Sequence, residues 1–421
     1  MKTADRILGR LQRGAITLVD GGRCVRYGPA GADLHATVRV HDARFYREIA
    51  LDGSIGAGEA YMQGWWSTDD LTALMRILVR NLHLVDGMEG GFARLAAPLR
   101  KALHWLNRNT RGGSRRNIAA HYDLGNEFFA LMLDPSMMYS CAVFEDASMT
   151  LAEAQAARLD LVCTKLDLQP GDHLLEIGTG WGGMAIHAAK HYGCRVTTTT
   201  ISRRQHELAT ARVAAAGLSG RVSLLLEDYR DLRGSYDKLV SIEMIEAVGH
   251  AFYDVYFQRC AELLRPGGLM LLQAITIADQ RYESARRSVD FIQRYIFPGS
   301  CIPSITAMAQ SITQASDMRL IDLEDIGPHY ATTLAHWRQN FMRNIDAVRG
   351  LGYPESFIRM WEFYLCYCEG GFAERALGDV HMLLARPPLP AHAFRQPVSR
   401  MRKATTSPTS EISASSVAAR R

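Results

Sequence analysis

The stretch HLLEIGTGWGGMAIHAAKHYG, residues 173–193, constrains the fold more than any other part of the chain. Leu174–Ile177 reads as a short strand, Gly178–Gly183 as a glycine turn, and the residues to about His191 as a helix. Glycine at 178 and 180 lets the backbone approach a bound ligand, and the helix start behind them offers free N–H groups. The order that follows continues an α/β pattern: strand CRVTTTTI, helix SRRQHELATARVAAAG, strands RVSLLLED and YDKLVSIE, helix HAFYDVYFQRCAELL, then RPGGLMLLQAITI. The turn is spaced E-x-G-x-G-x-G, not G-x-G-x-x-G, and lacks the Lys-Ser/Thr pair of a phosphate-binding loop. That disfavours NAD and ATP.

Ligands of such a sheet sit at the carboxyl ends of its strands. The candidates there are Gly178 and Gly180 after the first strand, Thr200 and Ser202 after the second, and Asp228 after the third. Gln205 lies one helical turn beyond Ser202 and reaches toward the same ligand. Ser202 fits a helix cap as well as it fits a ligand contact. Asp228, before YRD, is suited to accept from an adenine amino group.

At 421 residues, with 48% hydrophobic and 22% charged, the chain suffices for one large domain and a smaller one. We expect an α+β unit over 1–93, a basic connector over 94–117, the α/β domain over 118–394, and a disordered Ser/Thr/Ala-rich tail over 395–421. In the first unit AITLVD and ATVRVHD suggest strands, and GSIGAGEAYMQGWWSTDDLTALMRILV a turn leading to a helix. The net charge of +4 is too small to imply nucleic acid. It is unevenly placed, however: Arg94, Arg100, Lys101, Arg108, Arg111, Arg115 and Arg116 share a segment without carboxylates. With Trp105 this run suits an anionic membrane surface, a solvated linker helix being the alternative. The cysteines are scattered, and Cys366-x-Cys368 lacks zinc spacing, so neither a disulfide framework nor a metal site is suggested. A reducing, cytoplasmic location is expected. No apolar run suits a signal peptide or a bilayer span, so membrane contact is expected to be peripheral.

The LRPGG turn into an apolar strand, after the glycine loop, resembles class I S-adenosylmethionine-dependent methyltransferases. Further stretches narrow this: GEAYMQGWW, AAHYDLGNEFFALMLDPSMMYSCAVFED, SIEMIEAVGHAFYDVYF, SVDFIQRYIFPGSCIPS and PHYATTLAHWRQNF. Over roughly residues 50–390 they resemble the cyclopropane-fatty-acyl-phospholipid synthases and their mycolic acid relatives. The resemblance implies a Rossmann-like seven-stranded sheet with a small N-terminal lipid-handling α+β domain. It also implies S-adenosylmethionine as methyl donor, the cis double bond of a phospholipid acyl chain as acceptor, a carbocation, and bound bicarbonate as base.

Carried over by motif, the bicarbonate ligands are Cys141 of YSC, Glu246 of IEAVG, Tyr330 of HYATTLAHW and the backbone N–H of Ile275. Gln273 stands where the family has histidine, in LLQAI for LLHTI; its amide can donate to an oxyanion but cannot carry a proton. Cys141 is thus expected as an anion-holding thiol at the mouth of a chain pocket, although free cysteine is commonly just a buried hydrophobe. Glu243, one turn before Glu246, competes for its role; Glu246 is preferred because Val-Gly follows it. Taken without its TLxxW context, Tyr330 would read as a core aromatic with a satisfied hydroxyl. Tyr139 and Ser140 match positions near the methionine end of the cofactor, and His121 and Tyr122 belong to the family signature. Met137, Met138, Phe144, Phe291, Tyr295 and Phe297 are expected to line the chain pocket. The expected product is cyclopropane lipid; methylene- or methyl-branched chains, or a non-catalytic lipid carrier, are the alternatives that Gln273 leaves open. The implied partners are unsaturated phospholipid and the inner face of the membrane, with no nucleic acid; a homodimer is compatible with the chain.

Overall fold

Parallel pairing accounts for the apolar runs after residue 170. In the computed structural model, which describes residues 2–82, 113, 114, 117 and 124–389, strand β5 (His173–Ile177) lies between β6 (Arg195–Thr199) and β8 (Tyr236–Ile242), parallel to both. Strand β7 (Val222–Leu225) extends the sheet beyond β6, and β9 (Leu264–Ile277) beyond β8. Beyond β9 come β11 (Leu377–Ala385) and then β10 (Arg319–Asp325), each antiparallel to its neighbour. The order is β10-β11-β9-β8-β5-β6-β7, the seven-stranded sheet expected from the sequence. Strands covered on both faces bury every second residue on each side, so Leu174, Leu175, Leu239, Val240, Leu271 and Leu272 are all inaccessible. Chain order reverses at β5, and that switch point opens a crevice at the strand ends.

The N-terminal segment forms a four-stranded sheet, β1 (Ala15–Asp20), β2 (Arg23–Tyr27), β3 (His35–Val40) and β4 (Trp66–Thr68), in the order β2-β1-β3-β4. The two expected strands are present. The expected turn at GSIGAG is not: a helix, Arg44–Met62, continues through it, kinked where Gly53 leaves helical geometry (φ 58°, ψ −128°). Tertiary burial overrides the low helix propensity of glycine here, since Ile55, Gly56, Gly58, Ala60 and Tyr61 all face the interior.

Ile16, Leu18 and Val38 of this sheet belong to the same hydrophobic cluster as Tyr330, Trp337 and Trp361. Helix Leu71–Arg80 packs along helix Glu355–Ala373, where Arg76 and Arg80 both reach Glu374 at 2.7 Å. The helices touch at Gly370, where a Cβ would stand 2.7 Å from Met75 Cβ and 3.1 Å from Arg76 N. Gly370→Val is therefore expected to cost about 1–3 kcal/mol through overpacking. The check is a lower denaturant midpoint at unchanged slope; an unchanged midpoint would show that this contact is loose.

Of the basic connector only residues 113, 114 and 117 are described. The cations Arg94 to Arg111, Arg115 and Arg116, together with Trp105, His121, Tyr122 and the tail 395–421, lie outside the described residues. Among the described residues no helix is long and apolar enough to cross a membrane.

Candidate active site

A cavity of about 1350 Å³ runs from the carboxyl ends of β5–β8 to the inner face of the N-terminal sheet. One end is lined by Gly178–Trp181, Thr199–Ile201 and Glu227–Arg230, the other by Ile16, Leu18, Val38, Phe45 and Leu74. Between them stand Glu243, Glu246, Ile275 and Tyr330.

At the first end the residues fit an adenosyl ligand. Gly178 has φ 106° and Gly180 φ 52°; a Cβ on Gly180 would meet nothing within 4 Å, so this turn fronts open space. The N–H groups of Gly178 and Thr179 both donate to Thr199 O, at 3.1 and 3.0 Å, which ties the turn to β6. Tyr139, Ser140, Thr200, Gln205 and Asp228 all line the cavity. The Thr200 hydroxyl donates to Gln205 Oε1 at 3.0 Å. Ser202 does not line it; its hydroxyl accepts from Gln205 N at 3.3 Å and caps the helix Arg203–Ala215, the capping role of its two readings. Both Asp228 oxygens receive the Arg230 guanidinium, at 2.8 and 2.6 Å, so an adenine amino group would share a carboxylate already paired.

At the junction the hydrogen bonds converge on Glu243. Its Oε1 accepts from the Cys141 N–H and from Gln273 Nε2, each at 2.8 Å, and its Oε2 from the Tyr330 hydroxyl at 2.6 Å. Glu246 Oε1 accepts from the Ile275 N–H at 2.6 Å, while its Oε2 is buried without a hydrogen-bond partner among the described residues. The residues expected around an anion are thus gathered, but around two carboxylates of the chain. The Cys141 thiol is not at a pocket mouth. Its side chain is fully buried away from the cavity, and burial, reinforced by the Asp379 and Glu243 charges, raises its pKa well above the thiol range. What Cys141 offers Glu243 is its backbone.

Behind Glu243 lies a polar cluster that the motifs did not reveal. Gln273 Nε2 also donates to Asp379 Oδ2 at 3.0 Å, and Gln273 Oε1 faces His381 Nε2 at 3.1 Å. Strand register places His381 opposite Gln273 and Asp379 opposite Ile275, so period-two alternation on β11 is the signal that could have found them. Burial lowers the His381 pKa well below the usual imidazole range, so the ring is neutral and its N–H fixes the glutamine amide with the NH2 toward Glu243. Arg158, fully buried on the helix Leu151–Lys165, donates to Ser140 Oγ at 3.0 Å and Gln155 Oε1 at 2.8 Å. Nothing in its sequence context marks it.

Burial raises the carboxyl pKa values here, but unequally. Glu246 is pushed up to about 8 by burial and by the neighbouring Glu243 charge, and Asp379 is raised well above its usual range by the same two causes. Burial also raises Glu243, against the bonds from Tyr330 and Cys141 that favour its charged form.

The chain pocket divides the expected lining residues. Met137, Met138 and Phe297 line the cavity. Phe144 instead stacks on His336, Phe291 packs into the core against Phe363, and Tyr295 donates to Glu59. Aromatic composition alone could not separate these, because a core and a lipid pocket select the same side chains.

Known proteins of similar sequence and shape identify the family. The tuberculostearic acid methyltransferase of Mycobacterium tuberculosis is 42% identical over 358 residues, 81% of each chain. The cyclopropane-fatty-acyl-phospholipid synthase of Escherichia coli K12 is 38% identical over 348 residues, covering 81% of this chain and 85% of the relative. Two solved structures each match with a TM-score of 0.61 over 65% of this chain and 98% of theirs: a cyclopropane synthase from Mycobacterium tuberculosis at 31% identity, and a mycolic acid cyclopropane synthase complexed with SAH and CTAB at 32%. The profile of the mycolic acid cyclopropane synthetase family matches residues 110–382. With that match over more than half its length, the chain belongs to the mycolic acid cyclopropane synthetase family and is an S-adenosylmethionine-dependent methyltransferase of it.

Proposed function

We propose that this enzyme modifies the cis double bond of an unsaturated phospholipid acyl chain and forms a cyclopropane ring there. The observation that carries the proposal is the continuous cavity, with a cofactor turn at one end, an apolar chamber at the other and carboxylates where they meet. When bound at the Gly178–Gly180 turn, S-adenosylmethionine supplies an electrophilic methyl group. The apolar chamber takes the acyl chain, Ile16, Leu18 and Val38 of the N-terminal sheet forming one wall. Tyr139, Phe297 and Tyr364 wall the junction with aromatic surface, which excludes the water that would trap a carbocation. A base must then remove a proton from the new methyl group. The resemblance assigns that role to bicarbonate, and the junction carboxylates offer a second acceptor.

A methylene- or methyl-branched product is the second reading, favoured by the 42% identity to a tuberculostearic acid methyltransferase. The test of both is incubation with labelled S-adenosylmethionine and vesicles of cis-unsaturated phospholipid, followed by proton NMR of the extracted chains. Upfield ring-methylene signals are expected. Vinylidene signals in their place would establish the branched product, and absence of label from the lipid would leave only a carrier.

Peripheral docking on the inner face of the membrane rests on the cationic run Arg94 to Arg116, at about 1 kcal/mol for each Lys or Arg near an anionic surface. Vesicle binding should then weaken as salt shortens the range of the attraction. Binding indifferent to salt would make the run a linker.

A further inference from the structure

Three of the residues that the resemblance sets around a diffusible anion already hold a carboxylate of the chain, Cys141 through its backbone and not its thiol. Cys141 N–H, Gln273 Nε2 and Tyr330 OH all donate to Glu243, at 2.8, 2.8 and 2.6 Å. Carboxylate and bicarbonate present the same planar pair of oxygens to such donors. Cys141 and Gln273 are fully buried and do not line the cavity, whereas Glu243 does, so an anion entering from the cavity meets Glu243 in its way.

Backbone geometry gives a second, independent observation. Glu243 has φ 47°, in the left-handed region that favours glycine; among the described non-glycine residues only Met137, Asp167 and Arg375 share a positive φ. Placing a long acidic side chain there, and burying its carboxylate among other acids, costs stability twice. Strain of this kind is found where the side chain has a task.

From these two observations we infer that Glu243 is the catalytic base, a carboxylate of the chain in the place of bound bicarbonate, so that the enzyme turns over without bicarbonate. This rests on the methyl-transfer reading above. As the alkene π pair bonds to the incoming methyl carbon, the C–S pair stays on sulfur and the positive charge falls on the other alkene carbon. Glu243 takes a proton from the newly attached carbon, and the released C–H pair closes the ring onto the cationic carbon. The protonated Glu243 then returns its proton to solvent after product leaves. Gln273 is a positioning residue in this scheme: His381 fixes its amide, and the amide orients the carboxylate. The three donors that meet the Glu243 carboxylate favour its ionised form.

The experiment compares wild type, Glu243→Gln and Glu243→Gly in carbonate-free buffer and with added bicarbonate. Wild-type transfer of label to vesicles should be the same in both. Glu243→Gln should lose about 10²–10³ in rate without rescue, since the amide still fills the place. Glu243→Gly should lose as much, recover at least about tenfold with bicarbonate, and be no less heat-stable than wild type. A readout without turnover accompanies these: ¹³C-bicarbonate titrated into apoprotein should show NMR line broadening with Glu243→Gly and none with wild type. Wild-type activity that collapses without bicarbonate, bicarbonate bound by wild-type apoprotein, or a fully active Glu243→Gln would each overturn the inference. If wild type transfers no label in either buffer, the methyl-transfer reading fails, and the place of the anion is then decided by the titration alone.

Discussion

Gly178→Val should weaken binding of S-adenosylmethionine by about 100-fold or more, equivalent to roughly 3 kcal/mol, while the protein stays folded. At φ 106° a β-branched residue is in a region that L side chains rarely adopt, and holding it there costs on the order of 1–3 kcal/mol. The added Cβ would lie 3.4 Å from Met244 Cγ, an ordinary contact, so the surrounding protein accommodates it. Its methyl groups, however, project from a residue that lines the cofactor end of the cavity. If the backbone relaxes instead, it pulls against the paired bonds to Thr199 O and moves the turn. Either route removes the close backbone approach on which the site depends. Calorimetric titration is the measurement, and normal affinity in the variant would remove the β5 turn from the cofactor site.

Glu246→Gln should change how stability depends on pH. Glu246 keeps its proton in the folded protein to about pH 8, against an ordinary value of 4.5. Between those values the unfolded chain binds fewer protons than the folded one, so wild-type stability falls as pH rises. The contribution is complete below about 4.5 and lost above about 8. Its slope is about 1.4 kcal/mol per pH unit, and its full extent is on the order of 5 kcal/mol. Glutamine keeps an acceptor for the Ile275 N–H and cannot ionise, so the variant should gain on wild type steadily across this window. Glu176, also raised to about 8 by burial, falls in both proteins and cancels from the difference. Denaturant unfolding at several pH values would test this, and parallel profiles would show that Glu246 is ionised in the fold.

The α/β sheet and its cofactor turn are legible in the sequence because both rest on local chemistry. Strands buried on two faces read as apolar runs, and the turn after Ile177 needs glycine where φ is positive. The helix through Gly53 is not legible, since its glycines are kept helical by burial against the rest of the molecule rather than by propensity. Phe144, Phe291 and Tyr295 mislead for a related reason: their composition is that of a pocket, and their surroundings are those of a core, a stacked pair and an ion-pair rim.

The divide is sharpest at the two glutamates. Motif order brings Cys141, Gln273, Tyr330 and both candidate carboxylates into one neighbourhood, because each sits at a defined place relative to a strand end or a helix start. The Val-Gly that follows Glu246 favours that residue, whereas the Cys141, Gln273 and Tyr330 donors meet Glu243. Glu243 and Glu246 are three residues apart at the end of β8, and spacing along a short turn ranks them no further. That choice belongs to contacts made across the fold, the Cys141 N–H from 102 residues away and the Tyr330 hydroxyl from 87. Asp379 and His381 reach Gln273 through the antiparallel register of β9 and β11, more than a hundred residues apart in the chain. Hydrogen-bond geometry of this kind is set by how strands and helices from distant segments close on one another, and a linear pattern carries residue types without their distances.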